Sequence, residues 1–234
     1  MRAVILAGGK GTRMRPYTAV LPKPLVPVGD RPILELVIRQ LAQHGFTRID
    51  ISVGHLGQLI KTYFEQTELP DGIELAYHWE DQPLGTAGAL RQIEGLDEDF
   101  LVMNGDILTT LDYEQLMRFH RAQEAALTIS THEKDVDISL GVIEADDGFV
   151  TDYIEKPTMH FQVSMGVYAY SPAALELIPE GYFDFPDLVK ALLAKGENVA
   201  TYKAQARWYD IGTIEEHELA TEELAANPGL FDRG

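Results

Sequence analysis

Short apolar runs that stop at glycine alternate with segments of helical spacing along the first half of this chain. "RAVILAG" opens the sequence as a buried strand closed by glycines. "RPILELVIRQLAQHG" follows with Pro32 near a helix start, apolar residues at helical intervals and Gly45 as a stop. "RIDISVG" is strand-like, "LGQLIKTYFEQT" helical and "IELAYHW" strand-like again. "GTAGALRQIEG" suits a helix entered through a glycine turn, and "DFLVMNGDIL" a buried strand that ends in a polar turn. Strands and helices repeating every 20–30 residues demand crossover connections, so the strands are parallel.

From about residue 125 the rhythm changes. "ALTISTHE", "SLGVIEA", "GFVTDYIEK" and "VSMGVYAY" are alternating runs joined by short turns, Asp147-Gly148 among them, which predicts an antiparallel extension. "SPAALELI", "FPDLVKALLAKG" and "TIEEHELATEELAAN" read as closing helices, and residues 228 to 234 as a fraying end. The expected fold is α/β, a doubly wound, mostly parallel (Rossmann-like) sheet with helices on both faces and a small antiparallel extension. At 234 residues the chain suits one domain, 1–234, with no linker or repeat.

Charge is distributed unevenly. The chain carries 37 acidic and 19 basic residues, a formal net charge of -18. Yet the first 29 residues hold Arg2, Lys10, Arg13, Arg15 and Lys23 and no acidic group. An acidic protein has no general affinity for nucleic acid or anionic membranes, but one local basic site can hold a small anion. With no cysteine, disulfides, zinc–thiolate sites and a thiol nucleophile are excluded. The apolar run Ala3–Ala7 falls short of the roughly 7–15 residues of a signal-peptide core, and no run nears the roughly 18 of a membrane span. The expected setting is the cytoplasm.

"GGKGTR" fails as a Walker A loop, because Lys10 is followed by Gly11. It fails as a dinucleotide fingerprint too: Gly9 and Gly11 match, but Met14 stands at the third glycine position. Successive glycines after a first strand still let backbone N–H groups approach a ligand closely, at the usual binding edge of an open α/β sheet. Arg13 and Lys23 can supply cations to phosphoryl oxygens. A glycine pair alone is commonly a plain turn; cations without counter-charge favour an anion site.

"LAGGKGTRMRPYTAVLPKPLVPV", Leu6 to Val28, closely resembles the N-terminal motif of the sugar-1-phosphate nucleotidylyltransferases, with the same Gly, Thr-Arg, Pro and Pro-Lys-Pro spacing. "DQPLGTAGAL", "NGD", "IEKP" and "WYDIGT" match the same family in the same order, so the resemblance runs from residue 2 to about 225. It implies a nucleotide-binding part over about 1–110, a sugar-binding part with closing helices over about 111–225, and no C-terminal β-helix domain. By resemblance, Leu6, Ala7, Gly8 and Gly9 lie against the base and ribose of a nucleoside triphosphate, with Gly11, Thr12 and Arg13 around its phosphates. Lys23 would reach the α-phosphate and the incoming sugar phosphate. Gln82 and the backbone of Gly85 would face the base edge, although an amide that both donates and accepts leaves the base open. Asp106, shared with the nucleotide site, and Asp210 would hold one Mg²⁺; either Asp alone is more often a turn or helix cap. Glu155 would accept from sugar hydroxyls, Lys156 would hold the sugar phosphate, and Asn104, Gly141 and Gly166 would lie beside the sugar.

The reaction implied is attack by a sugar-1-phosphate oxygen on the α-phosphorus of the triphosphate, with pyrophosphate leaving. The attacking phosphate, with a second pKa of about 6, needs no general base. Catalysis then rests on positioning and charge neutralisation by Arg13, Lys23 and Mg²⁺. "PLGTAGA" looks most like members that use GTP with mannose- or heptose-1-phosphate. Uridylyl- or thymidylyltransfer to another hexose-1-phosphate, and a catalytically silent nucleotide-sugar-binding homologue, stay open. Ser164 and Leu140 depart from the family's frequent Asn and aromatic residue, which leaves the sugar undetermined. A phosphocholine substrate would want an aromatic or acidic cage, and none stands out. The partners expected are the two substrates, with no nucleic acid and no membrane; monomer and homodimer are both open.

Overall fold

The computed structural model describes residues 1–231. Its strands and helices are β1 (Arg2–Ala7), β2 (Pro27–Val28), β3 (Arg31–Pro32), α1 (Ile33–Gln43), β4 (Arg48–Val53), α2 (Gly57–Glu65), β5 (Glu74–Trp79), α3 (Gly85–Gly88), β6 (Phe100–Asn104), β7 (Ile107–Thr109), α4 (Tyr113–Ala122), β8 (Leu127–Asp137), β9 (Val142–Asp146), β10 (Phe149–Ile154), β11 (Thr158–Tyr170), α5 (Pro172–Leu175), α6 (Phe185–Lys195), β12 (Val199–Lys203), β13 (Trp208–Asp210) and α7 (Ile214–Ala226). Seven strands make the main sheet in the order β12-β8-β11-β6-β1-β4-β5. All its neighbours pair in parallel except β11, which runs against both β6 and β8.

Alternation along β1 divides the core. Ala3, Ile5 and Ala7 point to a cluster shared with α1, α2 and α4; Val4 and Leu6 point to one shared with α3, α5 and α6. Helices therefore cover both faces, as the α/β reading expects. The α1 and α6 stops follow their glycines. Gly45 and Gly196 take positive φ, and the N–H groups of Phe46 and Glu197 reach back to Leu41 and Leu192 in Schellman turns. Helix α7 starts on a capping box between Thr213 and Glu216.

The antiparallel region departs from the expectation. Strands β8 and β11 belong to the main sheet, because Leu127–Ser130 and Met165–Tyr170 are apolar or small enough to be covered on both faces. Only β9 and β10 stand apart, as a separate hairpin. The helices expected over "GTAGALRQIEG" and "SPAALELI" are single turns, α3 running straight into a 3₁₀ turn. Nor does the C-terminal end fray as far in as residue 228: Phe231 is buried with its ring edge-on to Tyr209, and residues 232–234 lie outside the described residues. Among the described residues no helix is long and apolar enough to cross a membrane.

Candidate active site

The glycine-rich opening leaves the sheet at the carboxyl end of β1. Gly8 packs so tightly on Gly54 that a Cβ at residue 54 would sit 2.8 Å from the Gly8 carbonyl oxygen. Gly11 has φ +59 and begins a 3₁₀ turn over Thr12–Met14. Met14 anchors that turn in the core, and the Thr18 hydroxyl donates to the Gly11 carbonyl at 2.7 Å. A third 3₁₀ turn, Lys23–Leu25, which follows one at Tyr17–Ala19, is held by buried Pro24 and Leu25 and presents Lys23 to the Asp106 carboxylate, with which it forms an ion pair. Arg2 takes no part. Its guanidinium turns to the opposite end of the strand and pairs with Asp50 at 2.7 Å, so the anion site draws on four of the five basic residues at most.

Two cavities open along this edge. The first, of about 370 Å³, is lined by Leu6–Gly9, Lys23 and Pro24 on one side and by Glu80, Pro83, Gly85 and Thr86 on the other, with Asn104–Asp106 and Tyr182 closing it. Gly85 has φ +78, and a Cβ there would sit 2.6 Å from the Phe183 carbonyl oxygen. The N–H groups of Ala87 and Gly88 fasten the same turn to that carbonyl. Gln82 is exposed and lies outside the lining, whereas Glu80, two residues earlier, is inside it. Thr12 and Arg13 are exposed beside the cavity, the guanidinium of Arg13 lying against Gly212.

The second cavity, of about 570 Å³, shares Thr86 and Asn104 with the first. Ile107, Ile129, Met165, Tyr168, Phe185 and Trp208 make it largely apolar, and Asp210 and Gly166 complete it. Gly166 has φ +72 inside a bulge of β11, and any Cβ there would crowd the Asn104 amide at 2.8 Å. The Trp208 indole N–H donates to the Met165 carbonyl at 2.9 Å, which fixes one wall.

Asp106 and Asp210, about a hundred residues apart in sequence, meet where the cavities join. β13 pairs with β7 so that Asp210 opposes Ile107, and the Ile211 N–H donates to the Asp106 carbonyl at 3.0 Å. Burial, and then repulsion from Asp106, raise the Asp210 pKa above the usual carboxylate value; Lys23 and Arg13 oppose the rise. Asp106 Oδ1 is buried with no hydrogen-bond partner. Among the described residues no group of three or more His, Cys, Asp or Glu side chains converges as a metal cage, so an ion here would rest on two carboxylates.

Gly141, Glu155 and Lys156 line neither cavity. They gather around Tyr153 at the exposed hairpin. The Tyr153 hydroxyl donates to Glu155 Oε2 at 2.9 Å and lies directly against Gly141, and Lys156, with φ +45, reaches Glu155 at 4.0 Å. Leu140 beside them is exposed, and Ser164 donates to the Tyr168 hydroxyl at 3.1 Å. Sequence reasoning missed Glu80, Thr86, Tyr182 and Trp208. Glu80 had a visible signal, since it directly follows the strand-like run "IELAYHW" and α/β sheets bind ligands at that end of a strand.

Known proteins share this architecture. The chain matches a family model described as nucleotidyl transferase over residues 2–227. It is 33% identical over 239 residues to a UTP–glucose-1-phosphate uridylyltransferase of Synechocystis sp., covering 93% of this chain and 61% of that protein. A mannose-1-phosphate guanyltransferase of Candida albicans is 31% identical over 221 residues, covering 91% and 61%. The chain thus spans about three-fifths of the length of these relatives. The crystal structure of HddC from Yersinia pseudotuberculosis complexed with GMP-PN superposes with a TM-score of 0.71 at 28% identity, over 95% of this chain and 99% of that one. Because the family match takes in β1 with its glycine turn, both carboxylates and nearly all of the described residues, this protein belongs to the nucleotidyl transferase family.

Proposed function

We propose that the protein is a Mg²⁺-dependent sugar-1-phosphate nucleotidylyltransferase that transfers a guanylyl group to a mannose- or heptose-type 1-phosphate. The observation that carries the reading is the convergence of Lys23, Asp106 and Asp210 where two cavities meet. The guanyltransferase relative and the GMP-PN complex of the structural neighbour support the choice of base. Residues 1–234 act in it as one domain, with the nucleotide held by about the first 110 and the sugar by the rest.

In this reading Leu6–Gly9 hold the base and ribose, while Gly11, Thr12 and Arg13 bracket the phosphates. The sugar enters the second cavity beside Asn104 and Gly166. A sugar-phosphate oxygen bonds to the α-phosphorus as the bond from that phosphorus to the bridging oxygen breaks, and pyrophosphate leaves with the electron pair. No proton has to move, because the attacking oxygen is already ionised near neutral pH. Lys23, its side chain largely buried and its stem against Gly11, holds its charge at the α-phosphate. Glu155 and Lys156, which line neither cavity, keep the sugar-hydroxyl and sugar-phosphate roles only through the family motif that they match.

The residues fit a divalent ion. Asp106 Oδ1 has no partner within the protein, and Asp210 is destabilised by the charge beside it. Mg²⁺ commonly rests on one or two carboxylates and completes its shell with water and substrate phosphates. When bound, it would supply positive charge to the phosphate oxygens. The test is pyrophosphate release with Mg²⁺ across GTP, UTP, dTTP, CTP and ATP, each against several sugar-1-phosphates and phosphocholine. GTP with a mannose- or heptose-type phosphate is the expected strong pair. A strong UTP pair would favour the activity named for the Synechocystis relative, and an empty grid from folded protein would overturn the reading.

A further inference from the structure

Arg13 and Lys23 are carried by the connection between β1 and β2, built from 3₁₀ turns at Thr12–Met14, Tyr17–Ala19 and Lys23–Leu25. Such turns hold themselves poorly, so the spacing of the two cations depends on what grips the connection from outside. Helix α7 is placed to do so. It follows Asp210 almost directly, and the link between them is rigid. The Gly212 N–H donates to the Asp210 carbonyl at 2.7 Å, and Glu216 Oε2 accepts from the N–H groups of Gly212 and Thr213, each at 2.9 Å. Yet α7 adds little to the core: among its described residues Ala220 alone is buried. Its first turn reaches the connection instead. His217 Nε2 donates to the Pro27 carbonyl at 2.6 Å, so that nitrogen carries a proton, and the imidazole lies 5.8 Å from the Tyr17 ring. Tyr17 and Pro27 bracket Lys23 in the sequence. One side chain thus closes both ends of the stretch that presents the lysine.

We propose that His217 is a positioning residue, which clamps residues 17–27 to the first turn of α7 and so fixes Lys23 relative to Asp210. The proposal rests on reading Lys23 and Asp210 as parts of the reaction site. His217 lines neither cavity, so it acts through the groups it holds. Phosphoryl transfer depends on placing charge, and a misplacement of about 1 Å can cost a hundredfold in rate. The lysine comes from the N-terminal connection and the carboxylate from the end of β13, far apart in the chain, so something must hold their spacing. An apolar contact would let the helix slide against the connection; a hydrogen bond to one carbonyl sets distance and direction together. Leu224, further along α7, lies against Gly29 and steadies the same helix on the other side of Pro27. The polar contact is the one beside the cations, with the Arg13 guanidinium against Gly212 just before the helix.

The test compares two variants of the intact protein: His217→Leu, which keeps the bulk, and His217→Gln, whose amide N–H sits as many bonds from the backbone as Nε2. Amide hydrogen exchange reads the clamp without turnover. In His217→Leu the amides of residues 12–26 should exchange about five- to tenfold faster, as loss of one hydrogen bond implies, while those of β4 and β6 keep the parental rates. His217→Gln should restore most of the protection. Turnover reads the consequence. In His217→Leu kcat should fall by about tenfold or more, with the melting temperature within about 4 °C of the parent, and His217→Gln should recover most of the rate. Added to Lys23→Ala, His217→Leu should cost less than it does alone, because the cation it places is gone. Parental exchange over 12–26 in His217→Leu would overturn the proposal. So would a His217→Gln variant as impaired as His217→Leu, or losses that add fully with Lys23→Ala. Exchange quickened equally in β4 and β6, or a variant that does not fold, would overturn it too, since His217 would then support the fold as a whole. The two readings fail separately. Faster exchange over 12–26 with no pyrophosphate from any substrate pair sinks the reaction and keeps the clamp. An active parent whose kcat survives in His217→Leu sinks the clamp and keeps the reaction.

Discussion

Lys23 and Asp210 make opposite demands on the protein. Lys23 offsets the charge of Asp106, with which it forms an ion pair, and in the proposed reaction its charge serves the phosphates. Lys23→Ala should lower kcat by about 10²-fold or more with a smaller change in KM, because its charge matters most as pyrophosphate departs. Steady-state kinetics at saturating and limiting GTP would separate the two constants; a pure KM effect would reduce the residue to ground-state binding. Asp210 works against the fold. Its folded pKa is raised, so between the ordinary carboxylate value and that raised one the native state holds the extra proton, and stability falls as pH rises through the window. At neutral pH its charge is therefore a cost that Asp210→Asn removes. The variant should lose turnover yet melt at the same temperature as the parent or above it. Added Mg²⁺ should raise the melting temperature of the parent, as any ligand of the native state does, and leave that of the variant unmoved. A metal-induced shift that survives in Asp210→Asn would remove this residue from the ion site.

At the scale of elements, the site depends on turns locked from outside. α3 is only four residues long, and its position comes from the carbonyl of Phe183, which accepts from Ala87 and Gly88. Gly85→Ala should fail twice, through a side chain at positive φ and a Cβ pressed on a backbone oxygen that cannot swing away. The expected loss is about 1–3 kcal/mol of stability in thermal or urea unfolding, with weaker nucleotide binding as the cavity wall shifts. Unchanged stability would mean that the 181–184 segment yields more readily than its contacts indicate. How legible each element was follows from where its stabilisation comes from. α1 and α6 were readable because a proline near the start, an apolar stripe and a glycine stop are all local. The split of the antiparallel region was not, since β8 and β10 both alternate and only burial by distant helices separates a sheet strand from a hairpin strand. Lys23, Asp106 and Asp210 were reached through motif resemblance, but the pairing of β7 with β13 that joins the carboxylates is a long-range contact. Gln82 and Glu80 lie in one quoted segment; which of them faces inward is decided by Ser52 and Gly8, on other strands.

Across the whole molecule, one buried carboxylate ties three strands of the sheet together. Asp50, fully buried on β4, accepts from Arg2 Nε on β1 at 2.7 Å and Nη2 at 3.1 Å, and meets His78 Nε2 on β5 at 2.8 Å. Arg2 also donates to the carbonyls of Glu94 and Gly95, so the group fastens the approach to β6 as well. Burial alone would raise the pKa of Asp50, but the hydrogen bonds and charges of Arg2 and His78 outweigh it and hold the carboxyl below its ordinary value. A depressed acid stabilises the fold above its unfolded pKa, and that stabilisation drains away as pH falls through the folded one. Asp50→Asn keeps the shape and deletes the charge, leaving Arg2 facing a neutral amide. Near pH 7 the variant should be less stable by about 3 kcal/mol, the usual order for breaking a buried pair by removing one partner. For a chain of this size that is a fall of roughly 6–12 °C in melting temperature. The gap should narrow as pH drops below the ordinary carboxylate value of 3.8, where Asp50 of the unfolded chain takes up a proton that the native state still excludes. Because Asp50 lines neither cavity, turnover per folded molecule should match the parent. Parallel melting curves for parent and variant from pH 7 to pH 3 would check all of this. A gap that stayed constant with pH would show that packing, and not the charge on Asp50, joins these strands.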